Sequence, residues 1–241
     1  MIISHIHRYL FVELPRTGST AISAELRELY DGQPILHKHA TYLEFLKVAT
    51  EDEKKYFVFS GIRNPLDDAV SRYFKLRTDH KQRFSGPRTG RKRLLNRIID
   101  RRMFSFLQST DADFAEYFMR NQILPYDRWS SLSHDHLDFI IRFESLTPDF
   151  AAALRGIGIE PVRPLPSVNP TGSRARDYRE YYTPRTWKRA RRVFGPFMER
   201  WGYAFPPEWD VDDLTWSDRL GYSIFSFFAS VYWRHIRPRG L

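Results

Sequence analysis

Two stretches of this chain share one construction, and together they restrict the kind of sheet the rest can build. Tyr9–Leu26 reads YLFVELPRTGSTAISAEL and Tyr56–Leu76 reads YFVFSGIRNPLDDAVSRYFKL. In each, an apolar run rich in aromatic and β-branched residues ends in a turn that carries an arginine. The chain then enters a helical pattern with hydroxyl residues near its start. Strands that alternate with helices in this way predict an α/β fold whose central, mostly parallel sheet is flanked by helices.

The first stretch predicts a strand over Tyr9–Leu14, a loop Pro15-Arg16-Thr17-Gly18-Ser19-Thr20 and a helix over Ala21–Tyr30. The first turn of such a helix has unpaired N–H groups and the positive end of the helix dipole, so a phosphate placed there meets several donors at once. Gly18 allows close backbone approach, Ser19 and Thr20 add hydroxyls, and Arg16 adds a permanent charge. The nucleoside-triphosphate loop G-x-x-x-x-G-K-[ST] is absent from the chain. Taken alone, this turn also fits ordinary helix capping.

The second stretch predicts a strand over Tyr56–Ile62 followed at once by Arg63, with Pro65 suited to the first position of a helix. Ser71 follows the arginine by eight residues. Arg63 and Ser71 can serve one phosphate near the helix start; alternatively, Arg63 pairs with Asp67 or Asp68 and Ser71 is an ordinary helix serine.

With both stretches in place, the chain resembles the sulfotransferases that use 3′-phosphoadenosine 5′-phosphosulfate (PAPS). The resemblance implies the P-loop-like sulfotransferase fold, with Arg16, Thr17, Gly18, Ser19 and Thr20 at the 5′-phosphosulfate and Arg63 and Ser71 at the 3′-phosphate. Between the two lies Leu36-His37-Lys38-His39-Ala40-Thr41, which is similar to the H-x-H segment of the heparan and uronyl 2-O-sulfotransferases. That likeness implies His39 as the base that deprotonates an acceptor hydroxyl, with His37 in support and Arg16 counted with them as catalytic. A neutral imidazole is available at neutral pH for such work. In an extended segment His37 and His39 would point to opposite faces. The family more often has lysine where this chain has Arg16, and arginine cannot give up a proton. The chain has no cysteine and no third ligand at metal-site spacing, so no metal is expected.

At 241 residues and 42% apolar content, one sizeable core is affordable. The reading is a PAPS-binding domain over 1–206 and a tail over 207–241. Helical spacing covers Leu94–Gln108, Asp111–Ile123, a stretch from about Pro148 to Arg155 and Pro184–Arg200, and Phe139–Phe143 reads as a third core strand. Pro161–Arg179 holds four prolines and reads as a loop; the resemblance implies a basic clamp there, for which Arg174 is the candidate. The WGYAF segment from Trp201 is similar to the close of many sulfotransferase domains, with Gly202 as helix stop. The absence of cysteine, and a start without the regions of a signal peptide, point to a cytoplasmic location.

A net charge of +9 suggests an anionic partner. Much of it is local, since Lys75, Arg77, Lys81, Arg83, Arg88, Arg91, Lys92, Arg93, Arg97, Arg101 and Arg102 face only Asp79 and Asp100. This stretch fits an acidic polysaccharide, an anionic lipid surface or nucleic acid, or is a solvated insertion. The apolar run Leu220–Trp233 is too short to span a bilayer. It suits packing on the domain or a partner subunit, or peripheral membrane contact with the basic residues after it.

The expected function is sulfonyl transfer from PAPS to a hydroxyl of a carbohydrate, releasing PAP, with a lipid or small amphiphile as the alternative acceptor. A P-loop kinase or nucleotidase lacks its lysine-bearing loop here. A polyanion-binding protein would rest on charge alone, without a recognised nucleic-acid module.

Overall fold

The computed structural model describes residues 1–82, 84–86, 94–127, 136–166 and 176–232, with the side chains of 81 and 94–97 outside it. In chain order the elements are β1 (Ile2–Ser4), β2 (Tyr9–Val12), α1 (Ser19–Leu29), β3 (Gln33–Pro34), α2 (Tyr42–Phe45), β4 (Phe57–Ile62), α3 (Pro65–Arg77), α4 (Leu94–Thr110), α5 (Phe114–Asn121), β5 (Phe139–Arg142), α6 (Leu146–Gly156), α7 (Pro184–Arg200) and α8 (Trp216–Val231). They fall into two compact units, one of residues 1–64, 127–170 and 228–241, the other of 65–126 and 171–227.

The first unit holds the sheet, in the order β3-β1-β2-β4-β5. The three strands expected from the sequence lie side by side in parallel, Tyr9 opposite Phe57 and Phe59 opposite Phe139. The sheet continues on its other side with antiparallel partners, β1 against β2 and β3 against β1, so it is mixed. Both faces are buried, which is why β2 and β4 read as continuous apolar runs. Tyr9, Phe11, Phe59 and Ile141 pack under α1 and α6 with Ile22, Leu26, Phe150 and Leu154. The alternate residues Leu10, Val12 and Val58 pack under α2 with Tyr42 and Phe45. Each buried side chain of this size contributes roughly 1.5–3 kcal/mol.

Because β2, β4 and β5 are parallel and neighbours, their carboxyl ends emerge on one edge. Val12 is opposite Ser60, whose hydroxyl donates to the Val12 carbonyl at 2.6 Å, and Ile62 is opposite Arg142. The turns that follow β2 and β4 are therefore delivered to the same place, where open α/β sheets take their ligands.

The second unit is helical around an aromatic core that includes Tyr73, Phe114, Tyr117, Phe118, Tyr182, Phe194 and Trp209. Phe114 meets Tyr182 edge-on at 4.8 Å, and the Tyr182 hydroxyl donates to the Leu66 carbonyl at 3.0 Å. Asp113 caps α5 through a reciprocal box with Glu116, which starts that helix at Phe114 rather than Asp111. α7 has the expected bounds; Gly202 at φ 64° and the bond from the Tyr203 amide to the Met198 carbonyl close it. Among the described residues, no helix is long and apolar enough to cross a membrane.

Candidate functional site

The turn after β2 is folded by its own side chains. Thr17 donates its hydroxyl to the Leu14 carbonyl at 2.9 Å, and Arg16 and Gly18 both take the left-handed conformation, at φ 68° and 77°. Glycine adopts that region freely; arginine does so at a cost, and such strain concentrates where geometry serves a ligand. Gly18 is the N-cap, so α1 begins at Ser19, two residues before the expected Ala21. The amides of Ala21 and Ile22 reach the Gly18 carbonyl. Those of Ser19 and Thr20, at the positive end of an eleven-residue helix, bond to no acceptor among the described residues.

Arg63 leaves the end of β4 almost buried. Its Nη1 donates to the Arg16 carbonyl at 3.4 Å, and its guanidinium carbon lies 4.1 Å from the centre of the Phe143 ring. The two arginine-bearing turns therefore meet. Neighbouring atoms hold them together: the Asn64 amide donates to Glu144 at 2.7 Å, and a Cβ added to Gly61 would stand 2.8 Å from the Thr17 carbonyl oxygen, Cβ and Oγ1. Gly61 is the reason the first turn can lie on β4 at all.

The H-K-H segment forms a turn instead of an extended run, with Leu36 at φ 56° and His39 at φ 66°. His39 Nδ1 is 2.8 Å from the Glu13 carbonyl oxygen. A carbonyl only accepts, so Nδ1 carries the proton and the lone pair sits on Nε2, the tautomer a base needs. Burial, aided by the Lys38 charge and opposed by the bond to Glu13, holds the imidazole below its usual pKa, hence neutral at pH 7. His37 goes elsewhere, its Nε2 3.9 Å from Glu44. Glu44 also closes the capping box with Thr41 at the start of α2.

Two residues join the site that sequence reasoning passed over. Lys38 extends its ammonium to the Thr20 hydroxyl at 3.4 Å, which places a second cation beside the start of α1. Its only signal was its place between two histidines. Glu13 ties three pieces together: its carbonyl takes His39, and its carboxylate accepts from the Ser23 hydroxyl at 2.7 Å and the Met1 amino group at 2.9 Å. Burial raises its pKa, but those bonds and the pull of Lys38 outweigh that and keep it below the usual value. An acidic residue at the end of the apolar run YLFV was the available signal.

The first unit thus brings Arg16, Thr17, Gly18, Ser19, Thr20, Arg63 and His39 to one edge of its sheet, with His37 on the adjoining turn. Ser71 stands on α3 of the second unit, 1% exposed, its hydroxyl without a hydrogen-bond partner among the described residues. Arg174, and the basic run from 87 to 93, lie outside the described residues. The arrangement in the first unit can bind an oxyanion at a helix start, neutralise it with fixed cations and take up a proton at a neutral imidazole. Compared with models of known families, with curated proteins and with solved structures, the chain matches none.

Proposed function

We propose that the chain is a PAPS-dependent sulfotransferase that moves the sulfonyl group to an acceptor hydroxyl, carbohydrate being the first choice of acceptor. The observation that carries this reading is the contact of Arg63 with the Arg16 carbonyl, since a doubly phosphorylated adenosine needs both turns within its own length. Their delivery by adjacent parallel strands supports it further. In this reading the amides of Ser19 and Thr20, with Arg16 and Lys38, hold the 5′-phosphosulfate. Fixed donors of this kind, aimed at charge that grows in the transition state, are commonly the largest catalytic contribution. The spacing of Arg63 and Ser71 in the sequence suggests both for the 3′-phosphate, and in this reading Arg63, at the end of β4, binds it.

The PAPS substrate supplies an electrophilic sulfur and a leaving group, PAP, that departs as a stable anion. His39 Nε2 takes the acceptor's proton as its oxygen attacks sulfur in line with the departing oxygen; the S–O bond to the phosphate breaks and its electron pair leaves with PAP. Arg16 can neutralise the departing oxygen but cannot protonate it. The acceptor choice leans on the H-x-H likeness and the basic stretch 75–102.

The test is titration calorimetry of the full chain with PAP and with AMP, followed by transfer from labelled PAPS to a panel of soluble sugars and amphiphiles. The expected result is a preference for PAP of at least about tenfold, about 1.4 kcal/mol, that Arg63→Ala removes. Equal affinity for PAP and AMP in the parent chain would sink the proposal.

A further inference from the structure

α7 turns Ala190, Val193, Phe194 and Met198 into the aromatic core of the second unit. Its outer side is a row of cations. At 3.6 residues per turn Arg185, Lys188, Arg189 and Arg192 fall within an arc of about 100°, opposite those core residues and over about 10 Å of helix. Arg185, Lys188 and Arg192 are exposed. Arg189 donates to the Gln122 carbonyl at 3.1 Å, and no carboxylate among the described residues pairs with any of the four. The acids nearest to the row in sequence are engaged elsewhere: Glu180 accepts from the Asp177 amide, and Glu199 holds Arg219.

The chain that follows α5 lies along one flank of this row. The bond from Arg189 fixes it at Gln122, and the Tyr126 amide, which donates to the Val193 carbonyl at 2.9 Å, fixes it again four residues on. Between those two bonds Ile123 and Leu124 stand 60% and 63% exposed. A single exposed aliphatic residue is ordinary. Two in succession, held beside four cations without acidic partners, form a surface that is basic and apolar at once.

We propose that this face docks the chain on an anionic lipid surface, with the cations of α7 at the headgroups and Ile123 and Leu124 in the acyl boundary beneath them. The combination of charge and aliphatic surface selects this occupant. An anionic leaflet offers negative charge with hydrocarbon just below it, and long basic side chains reach back to the headgroups while their neighbours sit deeper. Nucleic acid or an acidic polysaccharide would satisfy the cations but leave both aliphatic side chains in water. Docking of this kind does not depend on sulfonyl transfer.

The test is co-sedimentation of the full chain with vesicles of phosphatidylcholine, made with and without phosphatidylserine. A cation close to such a surface is worth about fivefold in affinity, so Arg185→Gln with Lys188→Gln and Arg192→Gln should weaken binding to the phosphatidylserine vesicles about a hundredfold at an unchanged melting temperature. Ile123→Ser with Leu124→Ser should weaken it at least about tenfold, and should remove whatever binding survives about 1 M salt, where charge is screened beyond about 3 Å. Docking is overturned if the parent chain does not bind phosphatidylserine vesicles, or binds those without phosphatidylserine as well, or if the triple variant binds as the parent does. It is overturned equally if Ile123→Ser with Leu124→Ser keeps full affinity, since the face would then read charge alone, as a soluble polyanion such as heparin supplies it.

Discussion

Replacing Gly61 with alanine tests whether the two turns depend on one close approach. The added Cβ would sit 2.8 Å from three atoms of Thr17, one of them the backbone carbonyl oxygen. Carbon contacts are comfortable only from about 3.5 Å, so the turn must retreat by roughly 0.7 Å. No flexible side-chain end is available to give way, because Thr17 is β-branched and its hydroxyl is tied to the Leu14 carbonyl. The retreat therefore carries the Arg16 carbonyl away from Arg63, to which it is already joined at 3.4 Å. Overpacking of this kind costs about 1–3 kcal/mol. For a chain of this size that is a fall in melting temperature of roughly 2–10 °C. The same displacement should weaken PAP binding by at least about tenfold, since errors near 1 Å at a preorganised site are costly. Gly156→Ala is the control: at the last residue of α6 its Cβ would come no nearer than 3.4 Å to Phe57, an ordinary contact. Differential scanning calorimetry and PAP titration of both variants decide the matter. If Gly61→Ala melts with the parent and binds PAP as tightly, the turn does not rest on Gly61 and the reasoning fails.

His39→Ala should abolish sulfonyl transfer while PAP affinity stays within about threefold, under 1 kcal/mol; full activity in that variant would remove the base assignment. Because burial, then Lys38, lower the His39 pKa, kcat/KM in the parent should be flat above pH 6.5 and fall with acid at a midpoint under that value. Lys38→Ala should move the midpoint upward, and a downward move would show that the Lys38 charge does not act on the imidazole. Arg163 donates through Nε and Nη2 to the two oxygens of the buried Glu25 on α1, each at 2.9 Å. Arg163→Ala removes the partner of that carboxylate, and urea unfolding should register a lower midpoint, partly recovered by adding Glu25→Gln. An unchanged midpoint would mean that water replaces the guanidinium.

The strands β2, β4 and β5 were legible because YLFV, FVFSGI and FIIR are apolar runs long enough to stand out, and helix bounds followed where caps were spelled in residue types, as at Thr183-Pro184. β1 and β3 were not, since IIS and QP are too short to show a period and Pro34 argues against a strand unless it lies on an edge, as it does here. The return of the chain to place β5 beside β4 leaves no trace in composition. The turn at His37–His39 was hidden for another reason: positive φ is unusual for leucine and histidine, and nothing in Leu36-His37-Lys38-His39 announces it.

The site itself was half legible, and the division follows the chemistry of its bonds. Residue types name donors such as Arg63, His39, Thr17 and the start of α1. The acceptors that seat them are the carbonyls of Arg16, Glu13, Leu14 and Gly18, which any residue would supply. A sequence can therefore nominate the groups that touch a substrate but cannot say what holds them. It also follows that replacing the side chain of Glu13 with glutamine should leave the seat of His39 in place, because the imidazole binds the backbone there. The same bond is vulnerable to any change that bends the chain between Val12 and Gly18. The determinants of this site are accordingly the residues that set backbone shape, Gly18 and Gly61 above all, as much as the arginines and histidines that carry its charge.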